Sequence, residues 1–238
     1  MTSGTDVAMP CIERMEFDSD AFALPFYRVK RIDKERLPAA VAALAAAPGS
    51  LVIDAKVEAD DVQSAQLLMN LGFRKICTQI TLFHALSDTR SPTEVEVDRT
   101  LLLDEPTIWE HARNFRFDRF SLDPLLPAEG RQRLYFKWIS NSMTLGKKLI
   151  AHLGEDFCSF SEDAEEVIID LVSILRPRQG IGTKLIDATI EYAQSRGFKR
   201  VHVTTECENK PAWNLYLQRG FQISGFISVF HFVKRAPA

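Results

Sequence analysis

The chain has 238 residues, 46% of them hydrophobic and 26% charged, with 11 glycines and 11 prolines, a globular composition. That length suits one large or two small domains. Twenty-nine basic against 32 acidic residues give a formal charge of −3, which excludes a global electrostatic pull toward nucleic acid or an anionic membrane surface.

Cys11, Cys77, Cys158 and Cys207 lie far apart without CxxC or CxxH spacing, which argues against a structural zinc site and a disulfide framework. The opening residues lack the basic and apolar regions of a secretory signal. The longest apolar run, residues 37–47 (LPAAVAALAAA), stops at Pro48-Gly49-Ser50 and is too short to span a bilayer. The expectation is a cytoplasmic protein with no metal.

In chain order, residues 1–92 read as a small α/β domain. After a polar leader, residues 27–32 (YRVKRI) form a strand, and the alanine-rich residues 37–47 form a helix that Pro48-Gly49 ends. Residues 51–57 are strand-like. Asp60-Asp61 stand where an N-cap belongs, and Val62, Ala65, Leu68 and Met69 follow at helical spacing until Gly72. Residues 73–86 (FRKICTQITLFHAL) form a long closing strand, and the polar segment 87–92 (SDTRSP) makes the boundary with a second domain, 93–238.

Residues 94–104 (EVEVDRTLLLD) open that domain as a strand, and 107–115 form a helix with Thr107 and Glu110 in capping-box spacing. A loop of Arg, Phe, Asp and Pro follows at 116–127 (RFDRFSLDPLLP), then a helix over 128–143. Residues 147–153 and 156–161 suggest a hairpin, and the near-continuous apolar run at 165–174 (EEVIIDLVSI) implies a strand buried on both faces. RPRQGIG at 176–182 is a glycine-bearing turn into an amphipathic helix over 181–196. A strand at 199–206, a short helix at 209–219 and a last strand at 224–234 complete the chain.

Superposing Gly72-Phe73 on Gly220-Phe221 aligns Asp61 with Asn209, Leu67 with Leu215 and Leu68 with Tyr216. The two halves look like related folds, the first a degenerate copy with no glycine turn and Leu68 where the second has Tyr216.

The strand 165–174, the turn and the next helix form an arrangement that can hold an anion. Unpaired amides at the helix start face the turn, Gly180 and Gly182 lack a Cβ that would block a phosphate, and Arg176 and Arg178 add charge. On this segment alone an ordinary strand-to-helix turn reads equally well. Neither a Walker loop nor a GxGxxG fingerprint is present.

Farther on, Asn209, Ala212, Leu215, Tyr216, Gly220 and Phe221 stand in the order N-x-x-A-x-x-L-Y-x-x-x-G-F. With the QGIG turn and the intervening helix, this pattern resembles the GCN5-related N-acetyltransferase (GNAT) superfamily over residues 94–234. The resemblance implies an α/β (α+β) GNAT fold with a mixed, splayed central sheet, preceded by a partial, degenerate GNAT-like half. It implies acetyl-CoA as cosubstrate, its pantetheine along Val172, Ser173 and Ile174 and its diphosphate on amides from Arg178, Gln179, Gly180, Ile181, Gly182 and Thr183, with Asn209 and Ala212 beside it. One departure is Pro177 at the first position of the family's [Q/R]-x-x-G-x-[G/A] turn, leaving Arg176, Arg178 or Gln179 to compensate.

Within this motif Tyr216 reads as the general acid. Transfer to an amine expels a thiolate whose thiol titrates near ~8.5, and a phenol with a pKa of ~10 stays protonated and can donate to it. Asp170, His202, Glu206 and Glu208 lie on or beside the two splayed strands as candidate bases, with bulk water as the remaining proton acceptor.

The 116–127 loop sets Arg116 and Arg119 among Phe115, Phe117 and Phe120, with Asp118 and Asp123 nearby. Arginine forks match phosphate oxygens and aromatic rings stack on bases, so the mixture suits a nucleotide-linked acceptor; a lid packed by its phenylalanines reads equally well. The whole chain, with DRFSLDP and the LYFKWISNSM helix, resembles the TDP-fucosamine acetyltransferase family, which acetylates a TDP-linked 4-amino-4,6-dideoxyhexose for bacterial surface polysaccharide. That resemblance implies Arg119, Phe120, Tyr135, Trp138 and Asn141 on the acceptor side, to which the loop's composition adds Arg116, and is compatible with a homodimer. The alternatives are a GNAT enzyme acting on another amine (a protein N-terminus, an antibiotic, a polyamine) and a non-catalytic acyl-CoA sensor.

Overall fold

Two aspartates open helices in the same way: the side chain of Asp61 accepts the Ser64 amide at 3.0 Å and that of Asp104 accepts the Thr107 amide at 2.9 Å. The structure, a computed structural model, describes residues 10–87 and 95–236. In chain order these hold β1 (Ile12–Arg14), α1 (Glu16–Phe22), β2 (Phe26–Val29), α2 (Leu37–Ala46), β3 (Leu51–Glu58), α3 (Val62–Asn70) and β4 (Arg74–Ala85). Then come β5 (Glu96–Asp98), α4 (Glu105–Asn114), α5 (Ala128–Thr144), β6 (Leu149–Leu153), β7 (Asp156–Asp163), β8 (Glu166–Ser173), α6 (Ile181–Ser195), β9 (Arg200–Glu206), α7 (Lys210–Gln218) and β10 (Gln222–Lys234).

One unit comprises the described residues up to Ile76 and those from Ser228 onward. Its strands run in the order β1, β2, β3, β10, with β1 antiparallel and β3 parallel to β2. Leu37, Val41, Ile53, Leu68, Phe73 and Phe230 meet in its core. Residues 12–22, expected as a polar leader, instead form β1 and α1. Ile12, Ala21 and Phe22 are buried there, and the buried Ser19 hydroxyl donates to the Met15 carbonyl at 2.7 Å while accepting the Phe26 amide at 2.9 Å. These elements are too short for periodicity to announce them.

The other unit is Cys77–Ile227. Its strand order is β10, β4, β9, β8, β7, β6, β5, with β8 and β9 parallel and β4–β9, β8–β7, β7–β6 and β6–β5 antiparallel, the mixed α/β sheet expected. Ile80, Phe160, Val167, Leu185, Val203 and Phe221 are among its core residues.

Three expectations are corrected. The strand at 94–104 shortens to β5, and α4 starts at Glu105 because Asp104, not Thr107, caps it, with a proline in the first turn that needs no amide partner. Burial along β8 alternates between buried and half-buried, so the strand is not enclosed on both faces. Most of the boundary segment 87–92 lies outside the described residues.

The two helix-glycine-strand junctions are built alike. The Phe73 amide donates to the Leu68 carbonyl and the Phe221 amide to the Tyr216 carbonyl, each at 3.0 Å, the six-to-one bond of a Schellman ending. Gly72 donates to Met69 and Gly220 to Leu217, again at 3.0 Å in both. The junctions place Leu68 in one core and Tyr216 in the other.

Candidate active site

The site grows from the point where two strands part. β8 and β9 pair from Glu166↔Arg200 to Ile169↔Val203, and there the register ends. β8 continues as a partner of β7, but its register shifts between Ser159 and Phe160, opposite Leu171 and Ile169, so Asp170 is the extra residue of a β-bulge. The bulge changes which side chains face which layer. Val167 and Ile169 belong to the core cluster with α6 residues, as do Val172 and Ile174 after the bulge, whereas Ser173 faces α4. The edge of β8 beyond Ile169 is thereby left open toward β9.

Four polar contacts hold this end of β8. Nδ1 of His111 lies 2.7 Å from the Ser173 hydroxyl, and Asn114 Nδ2 donates to the Ile174 carbonyl at 2.8 Å, so α4 grips the strand with two residues one turn apart. The Leu175 amide donates to buried Asp156 at 2.6 Å, and Lys148 pairs with Asp170. His111, Asn114 and Asp156 were not singled out in the sequence; two polar residues at i and i+3 on one face of α4 were the available signal. Of the three cofactor positions expected here, Ser173 is buried, Val172 and Ile174 are half-buried, and the Ile174 carbonyl already accepts one hydrogen bond.

Arg176, Arg178, Gln179 and Gly180 are exposed in the turn, where Arg178 (φ 69) and Gly180 (φ 74) are both left-handed. Gly180 is the N-cap of α6, so the amides of Ile181, Gly182 and Thr183 point out of the helix without intrahelical acceptors. A Cβ at Gly180 would meet nothing within 4 Å. A Cβ at Gly182 would lie 2.9 Å from Ile174 Cδ1 and 3.1 Å from Leu215 Cδ2, so this glycine serves the packing of α6 rather than clearance for an anion.

Tyr216 is buried on α7 among the core residues, and burial, with the Cys158 thiol nearby, pushes its phenol well above the ordinary value. Burial likewise pushes the Cys158 thiol up to about 12, so both groups are neutral. Among the described residues none hydrogen-bonds the Tyr216 hydroxyl. Asn209 Nδ2 donates to the Thr205 hydroxyl at 3.2 Å and fixes the passage from β9 into α7, where Ala212 packs half-buried against the core.

Among the residues expected to meet the acceptor and their neighbours, Phe115, Tyr135 and Trp138 stack in a ladder, with centroids 4.1 Å apart for the first pair and 5.9 Å for the second. The Arg119 guanidinium sits 4.1 Å over the buried Phe120 ring. Asp118 accepts the amides of Phe120 at 2.9 Å and Ser121 at 3.1 Å, which folds the loop onto itself. Burial raises the Tyr135 hydroxyl well above its usual value; Asp118 and Glu206 push it further the same way, and Arg119 and Arg131 oppose them. The structure therefore brings Arg119, Phe120, Tyr135 and Trp138 together, while Arg116 and Asn141 are exposed.

The four candidate bases separate clearly. Asp170 is paired with Lys148, Glu208 is exposed, and His202 is half-buried opposite Ile168 in the paired part of β9. Glu206 is buried at the end of β9, past the point where β8 leaves, and accepts a hydrogen bond from Gln79 Nε2 at 2.9 Å. Burial raises its carboxyl above the usual range, Gln79 and Arg119 oppose that shift, and Asp118 adds to it.

Away from this region, ligand atoms of Glu96, Asp98 and His152 lie within 4.8 Å of one another at the β5–β6 end of the sheet, with both carboxylates exposed. No helix among the described residues is long and apolar enough to cross a membrane.

Residues 143–221 match the model of the acetyltransferase (GNAT) family. A GCN5-related N-acetyltransferase from Sphaerobacter thermophilus is similar in structure with a TM-score of 0.59 at 17% identity, over 95% of this chain and 77% of its own. A GCN5-related N-acetyltransferase from Kribbella flavida aligns with a TM-score of 0.55 at 12% identity, over 93% and 86% of the two chains. A tandem GNAT protein from the clavulanic acid biosynthesis pathway aligns with a TM-score of 0.55 at 12% identity, over 90% and 76%. No curated protein sequence matches the chain. The segment from the end of α5 to the residue after Gly220 thus carries a match to the acetyltransferase (GNAT) family, and the fold is the one these solved GNAT structures share.

Proposed function

We propose that the protein transfers an acetyl group from acetyl-CoA to the amine of a nucleotide-linked 4-amino-4,6-dideoxy sugar. The observation that carries the transfer is the parting of β8 and β9 beyond Ile169 and Val203, with α6 opening after β8 at Gly180 and Tyr216 in the core cluster against which Val172 and Ile174 pack. The residues present fit the cosubstrate: exposed Arg176 and Arg178, open space over Gly180 and three outward amides suit a diphosphate, and the free edge of β8 suits the amides of a pantetheine arm. When bound, acetyl-CoA supplies an activated thioester carbonyl.

The chain's own groups then act on either side of that carbonyl. The amine nitrogen bonds to the acyl carbon as the carbon–sulfur bond breaks. The Tyr216 phenol, kept neutral by burial, gives its proton to the departing sulfur. The amine gives up a proton in turn, so thiol, amide and one net proton are released for each ammonium consumed.

The nucleotide-sugar assignment draws on the resemblance of residues 17–234 to the TDP-fucosamine acetyltransferase family. It draws also on the aromatic ladder of Phe115, Tyr135 and Trp138 beside Arg119, a combination that can stack a base and charge-pair a phosphate. The test is thiol release from acetyl-CoA with a panel of nucleotide-linked 4-amino-deoxy sugars, and with spermidine and peptide amines as comparison. Turnover limited to the sugars is expected; turnover with another amine alone overturns the substrate and keeps the acyl transfer.

A further inference from the structure

Gln79 and Glu206 stand directly opposite each other in the β4–β9 register, and 127 positions separate them in the chain. The Gln79 amide is fixed by its neighbour: Nε2 donates to Glu206 Oε1 at 2.9 Å, since turning the amide over would set two oxygens against each other. That leaves Gln79 Oε1 buried with no hydrogen-bond partner, in a residue only 5% exposed. A carboxylate held through one oxygen by the amide N–H and an orphaned amide oxygen thus sit side by side.

The surroundings indicate what donor belongs there. Glu206 lies on the part of β9 that β8 has left, and 9% of it remains exposed. Gln79 faces it from β4, the charges of Asp118 and Arg119 in the 116–127 loop act on it, and its own charge acts on Tyr135 of α5, as does that of Arg131. These include the residues assigned to the acceptor side on other grounds. A ligand with several N–H bonds and a positive charge answers both a carboxylate and an amide oxygen, and a protonated primary amine has both.

We infer that Glu206 and Gln79 form the receptor for the acceptor's ammonium group, and that Glu206 takes the proton that frees its nitrogen lone pair. This rests on the reading of the chain as an amine acetyltransferase. In the step, one N–H bond of the ammonium breaks and one O–H bond forms on the Glu206 carboxylate, with no bond from Glu206 to carbon. The resulting carboxylic acid returns its proton to water before the next turnover. Gln79 holds the carboxylate with its N–H and accepts a second N–H of the same amine through Oε1. The raised carboxyl of Glu206 suits the role, because a stronger proton acceptor transfers more readily from an ammonium.

The test uses the full chain with Glu206→Gln and Gln79→Leu. Glu206→Gln keeps an oxygen for the Gln79 N–H and so preserves the fold. Calorimetric titration with each amine of the panel comes first and needs no turnover. Binding to the wild type, weakened about tenfold or more in Glu206→Gln with acetyl-CoA affinity within twofold, supports the receptor; equal amine binding by both proteins, or no binding of any panel amine to the wild type, overturns it. With the amine that turns over, kcat/KM of Glu206→Gln is expected to fall by roughly 10²- to 10⁴-fold and to lose the acid limb of its pH profile. Gln79→Leu is expected to raise KM for the amine more than it lowers kcat. A wild type that binds amine but not acetyl-CoA sinks the acetyl-transfer reading while leaving the receptor standing; a Glu206→Gln enzyme with the wild-type profile sinks the receptor and leaves the transfer.

Discussion

Nδ1 of His111 and the hydroxyl of Ser173 lie 2.7 Å apart, both buried, and join α4 to the last residue of β8. The contact links α4 to the strand whose free edge the proposed function assigns to acetyl-CoA. Its strength depends on the charge of one ring. Burial lowers the His111 pKa below its ordinary 6.5, with Asp156, Glu155 and Glu110 pulling the other way, so the folded protein holds the imidazole neutral.

A stability profile follows from that shift. A folded pKa below the unfolded one means that the unfolded chain binds the extra proton, so the stabilisation is complete above about 6.5 and is lost as pH falls toward the lower folded value, at no more than ~1.4 kcal/mol per pH unit. Thermal unfolding between pH 7 and 5 should show the wild type losing stability faster than His111→Gln. The variant should start lower by about 1–3 kcal/mol for the disrupted buried contact. Parallel curves for the two proteins would place the acid sensitivity elsewhere.

Tyr216→Phe separates acid catalysis from packing. The hydroxyl makes no hydrogen bond among the described residues, so its removal should leave Tm and acetyl-CoA affinity nearly unchanged. Turnover should fall about 10²- to 10⁴-fold if the phenol protonates the leaving sulfur. Single-turnover thiol release on the two proteins checks this, and equal rates would remove the acid role.

The two glycines of the α6 entry should fail differently. Gly182→Val meets Ile174 and Leu215 at 2.9 and 3.1 Å from its first carbon, and should destabilise the protein by about 1–3 kcal/mol while displacing α6. Gly180→Val has room around its Cβ but must hold φ at 74°, so it should distort the turn and weaken acetyl-CoA binding more than it lowers Tm. Calorimetric affinity and melting temperature together distinguish the pair; unchanged affinity in Gly180→Val would discredit the turn as a diphosphate seat.

Glu206 has a cost in the folded state. Its carboxyl pKa is raised above the ordinary 4.5, so the unfolded chain releases the proton first and the wild type loses stability as pH rises from about 4.5 through the folded value. Glu206→Gln should lack that loss and melt at least as high as the wild type at pH 8. A variant markedly less stable at pH 8 would make the carboxylate a structural support.

The sequence carried the second unit further than the first. The N-x-x-A-x-x-L-Y-x-x-x-G-F run marks α7 and its glycine ending directly, because the residues that stop a helix and fill its core face are local and chemically distinctive. β1 and α1 were not legible, since three and seven residues are too few for a period to emerge. The bulge at Asp170 was hidden for another reason: EEVIIDLVSI gives no sign of where an extra residue sits, because β7 decides that. Gln79 was the most consequential omission. Nothing in FRKICTQITLFHAL distinguishes its glutamine until the β4–β9 register sets it against Glu206.

The 127-position gap between Gln79 and Glu206 also bears on the order in which the protein is made. During synthesis the edge of β4 that will receive β9 leaves the ribosome long before its partner exists, and closing so long a loop is an entropic cost that local helices do not meet. The ammonium receptor cannot assemble until residue 206 has emerged, after every element from β4 to β8. Through that interval β4 carries unsatisfied backbone groups beside apolar Ile80 and Leu82, the exposure that invites pairing with a foreign strand. The proposed acceptor site therefore forms only after a long stretch of chain has followed β4, and the growing chain is vulnerable to misassembly while it waits.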